Sequence, residues 1–129
     1  MKEVIEFRVC VEAIEGGYEF MLAYAAQGRD KESASAPVRG HLESMSAALG
    51  SIGAAVEREI EAAAGANKEQ LTAYASVLED DVSRAKAAVD VVLSVPSIGS
   101  QVVDNLNASI HLRALLTSIF LIDEALRVS

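Results

Sequence analysis

A chain of 129 residues that is 51% hydrophobic, only 5% aromatic and without tryptophan has the length for one domain with its own core, and that core must be aliphatic. A net charge of −8 and an isoelectric point near 4.7 exclude the basic face that binding to nucleic acid or to an anionic membrane surface requires. A single cysteine, Cys10, excludes an intramolecular disulfide, and the start of the chain alternates charge with apolar residues, unlike a signal peptide, so a soluble cytoplasmic protein is expected.

The first predicted helix covers about 2–27. Val4, Phe7, Val11, Ile14, Tyr18, Met21 and Ala25 recur at three- and four-residue steps, the spacing of one helical face. Ile5, Phe7, Val9 and Val11 also alternate with polar residues as on a half-buried strand, and Gly16-Gly17 weakens a helix, so a kink or a short strand near the amino terminus is the competing expectation. The polar stretch 28–36 reads as the longest connection, and Pro37 suits a first helical turn with Ser35 as its cap.

The second predicted helix, 37–64, carries Val38, Leu42, Met45, Leu49, Ile52, Val56, Ile60 and Ala63. Beside that stripe, Ala47, Gly50, Ser51 and Ala54 form a narrow face against which another helix is expected to pack closely. Gly65 and Asn67 mark a short turn, with Asn67 as the next cap. The third helix, 68–93, aligns Leu71, Tyr74, Leu78, Val82, Ala85, Val89 and Val92, and Pro96 follows its end. The fourth, 98–127, has a second half apolar over most of its circumference. Leu112, Leu115, Ile119, Ile122 and Leu126 form one stripe, and Leu116 and Phe120 widen it. Its longest apolar run, 114–122, is about half the ~20 residues that span a bilayer, so no membrane partner is expected. Four helices with short connections describe a single all-α domain over 1–129, an antiparallel up-down-up-down four-helix bundle.

No catalytic constellation emerges from these residues. A di-iron bundle site needs Glu-x-x-His on two helices, but Val38 and Ala108 stand three residues before His41 and His111, and no metal or other cofactor is expected. Glu12, Glu15 and Glu19, like Glu57 and Glu61, flank the apolar stripes and read as solvated carboxylate rows, as does the cluster Glu79-Asp80-Asp81. Cys10, with no histidine at a motif spacing, reads as a small buried side chain.

The segment His41-Leu42-Glu43-Ser44-Met45 followed by Gly50 resembles the His-x-x-Lys-Gly region of histidine phosphotransfer domains, which are four-helix bundles of similar size. It departs from that motif at Ser44, where the lysine would stand, and at Met45, where a glycine clears space for the partner; Glu43 would also repel a phosphate. Asn107 and His111, four residues apart, are expected to share a face and, with Tyr74 and His41, to supply any polar network or small-ligand site.

Two functions follow. The first is a non-catalytic protein–protein interaction module, an accessory or regulatory homodimer joined through Leu112, Leu115, Leu116, Ile119, Phe120 and Ile122, with another protein as a further possible partner. The alternative is a small-ligand-binding or phosphotransfer-like bundle.

Overall fold

In the computed structural model, which describes residues 6–32, 37–63 and 65–127, every regular element is a helix. Among the described residues there are five: α1 (Phe7–Ala26), α2 (Val38–Ala62), α3 (Lys68–Leu93), α4 (Ser100–Ala108) and α5 (Ile110–Arg127). The all-helical class therefore holds, whereas the expected count of four does not. The roles expected of Val4, Ile5, Ser35 and Ala64 fall outside the described residues.

The strand alternative is overturned from Phe7 onward, because α1 begins there and runs through Gly16-Gly17 without interruption. Packing outweighs the propensity cost of the glycine pair. Gly17 is buried against α2, where a Cβ would meet the flexible tip of Met45, 2.7 Å from its Cε, and lie 3.6 Å from the His41 carbonyl oxygen.

The predicted fourth helix is broken. Ser109 takes an extended backbone, φ −67° and ψ 141°, and the helices on either side of it meet at a 54° bend. Its hydroxyl accepts the Leu112 N–H at 3.3 Å, so it caps α5 in the manner of a serine at a helix start. The break has a tertiary reason as well: α4 packs on α1 and α5 packs on α3, and one straight rod could not serve both.

Pairwise contacts fix the directions. The Phe20 ring of α1 meets His41 of α2; Ser46 of α2 bonds Asp90 of α3; Asn67, just before α3, and Tyr74 of α3 reach Ala125 and Ser118 of α5. Each neighbour thus runs antiparallel to the last, and Arg8 of α1 closes the circuit on Asp123 near the end of α5 at 3.4 Å. The core they enclose is aliphatic, with Ile14, Met21, Leu42, Met45, Leu49, Ile52, Leu78 and Leu115 fully buried and Tyr24 its one fully buried aromatic among the described residues.

Two expectations about small and polar residues are corrected. Ala47, Gly50 and Ala54 are exposed, Ser51 is half-buried, and a Cβ at Gly50 would meet only the Lys86 side chain, at 3.7 Å, so the small face of α2 is not closely covered by a helix. Asn67 makes no side-chain cap; its Nδ2 instead donates to the Ala125 carbonyl at 3.3 Å and ties the start of α3 to α5.

The stretch 27–32 after α1 and the 94–99 connection lie at the same end and are stapled together. Arg39 donates to both Glu32 oxygens and to the carbonyls of Leu93 and Val95, while Glu32 Oε1 also accepts the Ile98 N–H. Beside them Ser100 accepts the Arg29 N–H, donates to the Tyr24 carbonyl, and returns its own N–H to the Arg29 carbonyl. The Tyr24 hydroxyl completes the set by donating to the Ile98 carbonyl. Gly99 must be glycine here, since a Cβ would sit 2.9 Å from the Asp30 carbonyl oxygen and 3.0 Å from that of Arg29.

Candidate functional site

The apolar circumference of α5 divides three ways once its start is fixed at Ile110. Successive residues point about 100° apart around a helix. Leu112, Leu115, Ile119 and Ile122 point into the chain's own core and are at most 1% exposed. Four of the six residues expected to form a subunit interface are thus consumed by the fold, and Leu116 is partly buried against the core. Phe120 alone of the six stands out, at 50% exposure. The surplus lies elsewhere on the helix, in residues that sequence reasoning passed over: Ile110 is 73% and Leu121 53% exposed. With Ala114 and Thr117, these two follow a four-three-four spacing and share one face of α5, whose exposure only the packing reveals.

Leu121 borders a groove along α3. There a depression of about 230 Å³ is lined by Asn67, Gln70, Leu71, Tyr74, Leu121, Ile122 and Ala125. A second, of about 210 Å³, is lined by Asp81, Arg84, Ile110, His111 and Ala114. Between the two runs a chain of hydrogen bonds: Ser118 Oγ donates to Asp81 Oδ2 at 2.5 Å and lies 3.1 Å from the Tyr74 hydroxyl. Because a serine hydroxyl carries one proton, Tyr74 is the donor to Ser118. This corrects the reading of Asp81 as part of a solvated acidic face. Val77, 44% exposed on α3, extends the apolar character of the same side.

The residues expected to form one polar network are dispersed. Tyr74 and His111 reach the same groove at different depressions. Asn107 does not accompany His111, because the bend at Ser109 rotates the two apart: His111 is exposed, whereas Asn107 is buried with neither amide atom hydrogen-bonded among the described residues. His41 lies on the other side of the molecule, its ring stacked on Phe20 at 4.1 Å between centroids, and Met45 is fully buried beneath α1.

The chemistry available is limited. Cys10 is fully buried and burial pushes its thiol up, holding it protonated rather than as a nucleophilic thiolate. Ser118 is 2% exposed and already bonded to a carboxylate, a positioned structural hydroxyl rather than a reactive one. Glu57, Glu61, Lys68 and Glu79 line an open groove of about 340 Å³ between α2 and α3, where the Lys68 ammonium donates to the Glu61 carbonyl at 3.1 Å. Among the described residues no group of three or more His, Cys, Asp or Glu is placed to hold a metal ion. No single described helix is long and apolar enough to cross a membrane; α4 and α5 reach that length together only across their bend.

What the arrangement offers is a surface: the outward side of α5 and the groove beside it. No family model matches the chain, and neither the curated proteins nor the solved structures contain a match to it.

Proposed function

We propose that the protein is a non-catalytic interaction module that acts as a homodimer, with the outward side of α5 as its contact surface. The carrying observation is the concentration of exposed apolar side chains on that one helix, Ile110, Phe120 and Leu121, each half exposed or more. Phe120 and Leu121 point about 100° apart and flank Thr117, so the three apolar residues frame one broad face rather than three isolated spots. On a two-fold interface each counts twice.

Magnitudes set the expected strength. Burying a half-exposed Phe, Leu or Ile contributes roughly 1 kcal/mol or a little more. Six such side chains give roughly 6–9 kcal/mol against an association cost of about 4–15 kcal/mol, short of the ~8 kcal/mol net of a micromolar dimer, so polar contacts must supply the remainder. On this reading the fold is an up-down-up-down antiparallel bundle whose fourth rod is α4 and α5 taken together, and the free buried thiol of Cys10 suits a cytoplasmic, reducing setting.

Sedimentation velocity across a micromolar concentration range tests the proposal. The expected wild-type particle is two chains, and Phe120→Glu and Leu121→Glu are each expected to give a monomer with unchanged helical content, since both positions face solvent and tolerate a charge within the subunit. A well-folded wild-type monomer at tens of micromolar would overturn it.

A further inference from the structure

Resting on that dimer reading, we infer its register: α5 packs against α5 of a second copy in antiparallel fashion, across a two-fold axis between Ser118 and Ile119, with Arg113 paired to Glu124 of the partner subunit.

Opposite charges flank Thr117 and Phe120 on the outward side of α5. Arg113, Thr117, Phe120 and Glu124 are spaced by four, three and four residues, which places them in one row on the outward side of α5, and Arg113, Thr117, Phe120 and Glu124 are all exposed. That spacing reads the same in both directions. When two copies lie antiparallel about its midpoint, Arg113 meets Glu124 of the partner subunit at each end, and Thr117 lies under Phe120 of the partner subunit in the middle. The row spans about 16 Å of helix, three turns, so the two charge pairs flank the central Thr117–Phe120 contact, with Ile110 of each copy beyond them.

The charges are available for this. Among the described residues Arg113 forms no ion pair and Glu124 has only Arg127 as an ion-pair partner, at 3.9 Å, while that guanidinium bonds Asp123 at 2.8 Å. A parallel arrangement would stack Arg113 on its own copy and Glu124 on its own copy, placing like charges in contact at both ends. Chain direction is therefore decided by charge, and Phe120 and Leu121 supply the apolar contact whichever direction is taken.

Reversing the charges separates register from dimerisation. Arg113→Glu and Glu124→Arg each turn two attractive pairs into two repulsive ones, and each is expected to weaken the dimer about tenfold at ~0.1 M salt, with much less effect at 1 M. The double variant restores opposite charges at both ends and is expected to return within about twofold of wild type. Circular dichroism checks that all three remain folded, as exposed positions should allow. A double variant no tighter than the single ones, or single variants indistinguishable from a dimeric wild type, overturns the register and leaves the dimer standing. A monomeric wild type overturns both.

Discussion

Glu32 joins two stretches of chain that have no helix of their own. Its carboxylate accepts from Arg39 at 2.8 and 3.1 Å and from the Ile98 N–H at 3.0 Å, and these bonds, the arginine's foremost, hold the carboxyl below the usual glutamate range. A folded-state pKa below the unfolded one means stability that is fully present above the ordinary glutamate value of ~4.3 and is lost as pH falls through the lowered one. Glu32→Gln is accordingly expected to cost about 1–2 kcal/mol at pH 7 in urea unfolding, and the gap to wild type is expected to close progressively below about pH 4. A gap that persists unchanged to pH 3 would mean that charge is not what Glu32 contributes. Neither partner was legible beforehand: Ile98 lies 66 positions away, and Arg39, seven away on α2, is met across a connection whose periodicity is silent. Asn107 is a related case. Its polarity suggested a network, and only the fold reveals an amide buried with no partner among the described residues.

At the scale of elements, apolar spacing located the first three helices to within a few residues, because each keeps one face against the core for its whole length. It failed at Ser109. The stripe in the second half of the last segment is real, but Ser109 shifts its phase, so Asn107 and His111 were placed on a common face that does not exist. A different limit turned Leu112, Leu115, Ile119 and Ile122 outward when they point in: the helix is apolar on more than one face, and spacing does not say which face meets the core. Glycines show a parallel limit, since their sequence context does not say what stands opposite. A Cβ at Gly53 meets nothing within 4 Å, so Gly53→Ala is expected to raise stability by about 0.5–1 kcal/mol through helix propensity alone. Gly99→Ala drives a Cβ into two backbone carbonyls and is expected to lower it by about 2 kcal/mol or more, as overpacking against rigid atoms does. Thermal unfolding of the two variants side by side decides the matter, and a neutral Gly99→Ala would show that the connections can move apart freely.

For the whole molecule, the arrangement of helices separates two tasks. The core-facing sides of all five build the subunit, and the outward side of α5 is left with apolar residues and opposite charges. Composition forecast a surplus of apolar surface on the last segment, and the identity of its exposed residues had to wait for tertiary packing. The staple formed by Glu32, Arg39, Arg29 and Ser100 has a further consequence for how the subunit comes apart. α1–α2 and α3–α4 would each be expected to swing open independently at their connections, as helical hairpins with flexible links do. Here either opening must first break the bonds that hold the other, so the two hairpins share one latch and should unlatch in a single event. The Ile98 and Ser100 amides, donated to Glu32 and to the Arg29 carbonyl, are then expected to exchange hydrogen as slowly as amides of the buried helices, although they lie at a loop and a helix start. Exchange at the rate of open loops would mean that the latch releases locally. If it does not, cooperativity in this all-helical chain resides in its connections as much as in its core.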